Sequence, residues 1–121
     1  MANTFKVVTF AAEPNSAGTP YTVYTTPSST TTVVIGLVLA NIHSSAVTAE
    51  VELVSDTGNR GGANDVANGT SFLVKDVNIP AGSSLELLSG GKVVLEATDE
   101  IKIDCSVADK LSGTLSIMEI T

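Results

Sequence analysis

Residues 78–103 read NIPAGSSLELLSGGKVVLEATDEIKI. Pro80-Ala81-Gly82 fits a tight turn, because glycine supplies the positive φ that a type II turn requires at its third position. Leu85 and Leu87 then share one face of a short strand, with Glu86 opposite. Ser89-Gly90-Gly91 is a second turn, Val93 to Glu96 another strand, and Ala97-Thr98-Asp99 a third turn. Ile101, Ile103, Cys105 and Val107 line one face of the next strand, with Lys102 and Asp104 on the other. A period of two interrupted by glycine turns is the pattern of an antiparallel sheet, and these turns read as scaffold rather than as a site.

The same pattern runs outward in both directions. Phe5 to Phe10 forms a first strand, with Val8 and Phe10 on one face and Phe5 and Val7 on the other. Residues 14–20 (PNSAGTP) make a loop, and Tyr21 to Thr25 a short strand before Pro27. Val33, Ile35, Leu37 and Leu39 share one face of the next strand; Val34, Gly36, Val38 and Ala40 share the other. Both faces are apolar, so this strand is covered on both sides or meets a neighbouring subunit. After the turn NIHSS, Val47, Ala49, Val51 and Leu53 alternate with Thr48, Glu50 and Glu52, which suggests a hairpin with the preceding strand. The segment 55–70 is glycine- and asparagine-rich and reads as a long exposed loop. Ser71 to Lys75 resumes extended chain. The last strand, Thr114 to Ile120, sets Leu115 and Ile117 against Met118 and Ile120. No window sustains a 3.6-residue period, and SVADKLS (106–112) is long enough for one helical turn at most. The expectation is an all-β fold, an antiparallel β-sandwich, jelly-roll-like or immunoglobulin-like, with eight or nine short strands.

The 121 residues suit a single domain spanning 1–121, with an N-terminal strand or arm over 1–20. Five aromatic residues and no tryptophan leave the core to Val, Leu, Ile and Ala. A formal charge of −7 repels nucleic acid backbones and anionic membranes, so neither is expected as a partner. The longest apolar run, Val33 to Asn41, is too short to span a bilayer, and no stretch reads as a signal peptide; the expected product is soluble and made in a cytoplasm.

Side chains with chemistry are sparse. Cys105 is the one cysteine, alternates with Ile101 and Ile103, and reads as a small buried hydrophobe. His43 is the one histidine and lies in a turn without an adjacent acid to orient it. Asp56, Asn59, Arg60, Asn64 and Asp65 form a candidate exposed binding loop, but their spacing does not match a calcium-binding loop and Arg60 sits among the ligands. Asp99 and Glu100 fit a turn cap better than a hydrolytic carboxylate pair. The glycines at 58, 61 and 62 lack the lysine and strand–helix context of a phosphate loop. No cofactor, metal or catalytic residue is assigned. The candidate interface is Val34, Gly36, Val38, Ala40, Met118 and Ile120, the second apolar face of two strands, where an exposed patch would mark a contact surface.

The order of three segments carries a resemblance. Thr30 to Leu53 (TTTVVIGLVLANIHSSAVTAEVEL), Ser71 to Ile103 (SFLVKDVNIPAGSSLELLSGGKVVLEATDEIKI) and Leu111 to Thr121 (LSGTLSIMEIT) together resemble small virion structural proteins of tailed bacteriophages, notably those of marine cyanobacteria. The resemblance covers roughly Val23 to Thr121. It implies a non-enzymatic virion component made in the bacterial cytoplasm, decorating or cementing the capsid through contacts repeated by symmetry. Its implied partners are itself, with a trimer preferred, and the major capsid protein or tail proteins. A tail or neck accessory and a carbohydrate-binding module of a receptor-binding apparatus are the alternatives; Tyr21 and Tyr24 would be the sugar platforms. Many relatives read LEAGD where this chain reads LEATD, so Thr98 stands at a glycine position.

Overall fold

A computed structural model describes residues 2–55 and 69–121. The candidate loop residues Asp56, Asn59, Arg60, Asn64 and Asp65 lie outside the described residues. Among the described residues nine strands follow in chain order: β1 (Asn3–Glu13), β2 (Tyr21–Thr25), β3 (Thr31–Asn41), β4 (Val47–Val54), β5 (Thr70–Ile79), β6 (Ser84–Leu87), β7 (Val93–Leu95), β8 (Glu100–Cys105) and β9 (Leu111–Ile120). They form two antiparallel sheets. The larger runs β1-β9-β3-β6, with β7 also beside β3; the smaller runs β2-β8-β4-β5.

β6 pairs with Leu37–Ala40 and β7 with Thr32–Val34, so the two are successive pieces of one interrupted edge strand. With that piece counted once, the first strand pairs the last, the second pairs the one before it, the third pairs β6/β7, and β4 pairs β5. This is a long hairpin rolled up on itself, the jelly-roll topology. Successive strands from β1 to β4 change sheet each time, which decides against the immunoglobulin order.

β3 and β4 therefore do not form the hairpin that their short separation suggests. Asn41 turns the corner between the sheets. It is buried; its Nδ2 donates to the carbonyls of Ser45 (3.0 Å) and Ile79 (2.9 Å), while its Oδ1 accepts from His43 N–H (2.8 Å). One amide thus satisfies the backbone of the turn and fastens it to the end of β5. A hairpin turn would not require so much buried polar bonding.

The inward rows of the two sheets make the core: Leu37, Leu39, Leu115 and Ile117 from the larger sheet, Ala49, Val51, Ile101, Ile103 and Cys105 from the smaller. The turns behave as the sequence indicates. Ser83 N–H donates to Pro80 O with Gly82 at φ 71°, and Asp99 N–H donates to Glu96 O with Thr98 at φ 71°. Asp99 caps this turn, its Oδ2 accepting from Glu96 N–H at 2.9 Å. Gly113 lies against the ring of Phe10, directly opposite it on β1; a Cβ there would sit 2.3 Å from the ring.

Candidate interaction surface

The outward faces of the two sheets differ in chemistry. On the smaller sheet Glu50 stands opposite Asp104, and Glu52 opposite Lys102. Lys75 Nζ pairs with Glu50 (2.9 Å) and lies 4.6 Å above the Phe72 ring. This is a charged, solvated surface. A shallow depression of about 320 Å³ in it includes Gly18, Glu50, Asp76 and Asp104. Asp104 Oδ1 is already engaged there, accepting from Gly18 N–H and Cys105 N–H. Among the described residues no group of His, Cys, Asp and Glu is arranged to hold a metal.

The outward face of the larger sheet is nearly without charge. Its paired positions are Asn3, Phe5, Val7 and Thr9 on β1; Ser112, Thr114, Ser116, Met118 and Ile120 on β9; Thr31, Val33, Gly36, Val38 and Ala40 on β3; Val94 on β7; and Ser84 and Glu86 on β6. Glu86 is the one charged residue among them. Phe5, Met118, Val33 and Val94 are successive cross-strand neighbours and form an apolar row over four strands. At the usual strand spacing such a row is about 14 Å long. Its two ends are well exposed, Phe5 at 72% and Val94 at 57%, and Val7 beside it is 64% exposed.

A bulge in β3 sets this pattern. The register between β3 and β9 shifts between Val34 and Gly36, leaving Ile35 as the extra residue. Thr32 and Val34 face inward before the bulge; Leu37 and Leu39 face inward after it. The candidate interface is corrected accordingly. Val34 is 1% exposed and belongs to the core, because the extra residue reverses the alternation upstream of it. Val33 takes its place outside. Gly36, Val38, Ala40, Met118 and Ile120 do stand on the outward face. Strict alternation could not reveal the bulge, although a glycine inside a strand pattern, here Gly36, is a place where one often occurs. Phe5 and Val7 were visible as a second apolar face of β1, but their neighbourhood with Met118 depends on first-to-last strand pairing.

Beneath the apolar row a polar cluster ties the sheets together. Tyr24 on β2 donates its hydroxyl to Glu119 Oε2 (2.6 Å) on β9, and its oxygen lies 2.9 Å from Thr32 Oγ1 on β3. Lys6 Nζ pairs with Glu119 Oε1 at 2.7 Å. Burial, and then the bond to Glu119, push the Tyr24 phenol up to about 12. The ammonium of Lys6 and then the Tyr24 hydroxyl hold the Glu119 carboxyl below the ordinary carboxylate range. Every oxygen is committed, which makes this a structural lock rather than a reactive site.

The remaining candidates are dispersed. His43 sits in the β3–β4 corner and Cys105 is buried in β8. Tyr21 packs on Phe10 with ring centroids 5.8 Å apart, and Tyr24 is spent in the cluster, so neither ring is a free sugar platform.

No protein-family model and no curated protein matches the sequence. Among solved structures, the chain is similar to a chain of the infectious bursal disease virus Gx strain, with a TM-score of 0.53 and 13% identity over 96% of this chain and 32% of the viral one. It is likewise similar to a chain of the T13 infectious bursal disease virus particle, with a TM-score of 0.54 and 9% identity over 97% and 30% of the two. The chain spans about a third of the length of those viral chains. At these identities the likeness is one of fold. A chain of the Bacillus endospore appendages, disulfide-linked pili, matches at a TM-score of 0.46, which is too low to carry an argument.

Proposed function

We propose that the protein is a structural component of a virus particle, a bacteriophage capsid decoration that acts by binding and not by catalysis. The observation that carries this reading is the uncharged outward face of the larger sheet, with its row Phe5–Met118–Val33–Val94, set against the charged face of the smaller sheet. In an acidic chain, a sheet face with one charge, one exposed ring and exposed branched side chains is a surface built for contact. At standard strand dimensions the whole face measures about 600 Å², near the roughly 800 Å² per partner of a stable interface. The Ser and Thr residues of this face, Thr9, Ser112, Thr114 and Ser116 among them, supply hydrogen bonds without the desolvation cost of charges. The jelly roll, the likeness in fold to chains of a virus particle, and the resemblance of the segment order to that of phage virion proteins support the same assignment. The partner on this face is another structural protein of the particle, the major capsid protein or a tail protein.

Purified particles test the proposal. The protein is expected in mature virions in many copies, and Met118→Lys, which adds a charge to the middle of the row, should yield folded protein that is not retained on particles. Absence of the wild-type chain from mature virions would sink the assignment.

A further inference from the structure

The four sheet edges are not alike. β2 has five residues, lies between Pro20 and Pro27, and shifts register between Thr22 and Tyr24. β6 and β7 are four and three residues long, separated by a turn in which Leu88 and Gly90 take positive φ. β5 shifts register twice against β4, and Asp76 within it has φ 51°. Short length, proline, bulges and irregular backbone are the devices that stop a sheet edge from pairing with another chain. β1 has none of them over Asn3–Phe10. It holds unbroken register with β9 from Asn3 to Phe10, and its one cation, Lys6, is directed inward to Glu119.

The hydrogen-bond parity of this edge follows from its first pair. Ala2 and Thr121 exchange bonds, Ala2 N–H to Thr121 O at 3.2 Å and Thr121 N–H to Ala2 O at 3.0 Å. In an antiparallel ladder such pairs alternate with pairs that do not bond each other. Thr4, Lys6, Val8 and Phe10 therefore bond to β9, while the N–H and C=O of Asn3, Phe5, Val7 and Thr9 point away from it. Among the described residues no strand takes them. Their side chains are also the outward ones, Phe5 and Val7 included.

We propose that β1 pairs antiparallel with β1 of a second copy, with Val7 on the twofold axis, joining two larger sheets into one. A centre at Val7 sets bonding residues opposite bonding residues: Val7 faces its equivalent and Phe5 faces Thr9 of the other copy. It also sets Lys6 opposite Val8, whereas a centre at Lys6 would oppose two ammonium groups. Uncharged outward side chains allow copies of an acidic protein to approach along this edge. Val7 then packs beside its equivalent across the axis, next to the Phe5 end of the apolar row. A twofold contact does not close a trimer by itself, so the expected assembly is a dimer or an even multiple of it. The inference concerns the isolated protein and stands apart from the virion assignment.

Two variants separate the backbone from the side chain. Val7→Ser removes the apolar side chain and keeps the N–H; Val7→Pro removes an N–H that β9 does not use, a place where an edge strand tolerates proline. Sedimentation of the wild type and Val7→Ser should show dimers, and Val7→Pro should stay folded with its dimer dissociation constant raised about 30-fold or more through the two lost bonds. Equal dimerisation of Val7→Pro and Val7→Ser overturns the proposal, as does a wild type that sediments as a monomer or as a trimer alone. Amide hydrogen exchange on the wild type decides without any mutation. Slow exchange at Phe5, Val7 and Thr9 is expected at dimer-forming concentrations, and fast exchange there refutes the pairing even if Val7→Pro fails to fold.

Discussion

Gly113 offers a sharp test of the packing between β1 and the core. A methyl group placed there would lie 2.3 Å from Phe10 Cζ and 2.4 Å from Cε1. Carbon atoms pack at about 3.5–4.0 Å, so the overlap exceeds an ångström on a rigid ring rather than on the free end of a flexible chain. The ring cannot simply slide sideways, because it is nearly buried and tilted at 58° against Tyr21 on the opposite sheet. Overpacking of this kind costs about 1–3 kcal/mol, partly offset by the lower unfolded-state entropy of alanine. Gly113→Ala should therefore destabilise the fold by about 2 kcal/mol. At roughly 2.1 cal/mol/K per residue the unfolding entropy is about 0.25 kcal/mol/K, so Tm should fall by about 8 °C. Scanning calorimetry at fixed protein concentration measures this. Phe10→Leu should recover part of the loss, the double variant being less unstable than the two single losses added, by about 1 kcal/mol. A Gly113→Ala protein that melts within a degree of wild type would show that the Phe10 ring is not held against Gly113.

Thr98 has φ 71° where a β-branched residue is strained, so Thr98→Gly should raise stability by about 0.5–1 kcal/mol and Tm by about 2–4 °C; a lower Tm contradicts the turn geometry. The Tyr24–Glu119–Lys6 cluster makes stability depend on pH at both extremes. The depressed Glu119 carboxyl contributes stability present above its unfolded value of 4.5 and lost as pH falls below that toward the lowered folded value. The raised Tyr24 phenol contributes stability present below 10.0 and lost between there and about 12. Urea midpoints against pH should therefore be level between these limits and fall outside them, and Tyr24→Phe should flatten the alkaline fall; an unchanged alkaline limb in that variant is evidence against the buried bond. At neutral pH the same variant should lose about 1 kcal/mol, the usual net value of a hydrogen bond, in a urea melt.

Much of the sheet was legible because alternation reports burial directly. The rows Val47–Ala49–Val51 and Ile101–Ile103–Cys105 are inward as their spacing implies, and the turns at Gly82 and Asp99 form as their residues require. Topology was less accessible. A five-residue link between two apolar strands ordinarily implies a hairpin, and the signal against it is Asn41, whose buried amide has to satisfy backbone groups from two directions. The proposed contact face was half visible. Met118, Ile120 and Val38 stood out as apolar residues on a second face, but the bulge at Ile35 exchanged Val33 for Val34, and a bulge leaves the composition of a strand unchanged. Phe5 and Val94 join the row through pairings between strands distant in the chain, which no local pattern encodes.

The claim that the outward face of the larger sheet is the contact surface is tested most directly by cysteine accessibility in assembled particles. In a Cys105→Ala background, Met118→Cys and Val33→Cys report on this face, and Glu52→Cys on the charged face of the smaller sheet. In isolated protein diluted to monomer all three should react with a maleimide. In particles the first two should become protected while the cysteine at position 52 keeps its reactivity; equal reactivity of all three in particles, or protection of position 52 alone, would rule this face out as the contact surface.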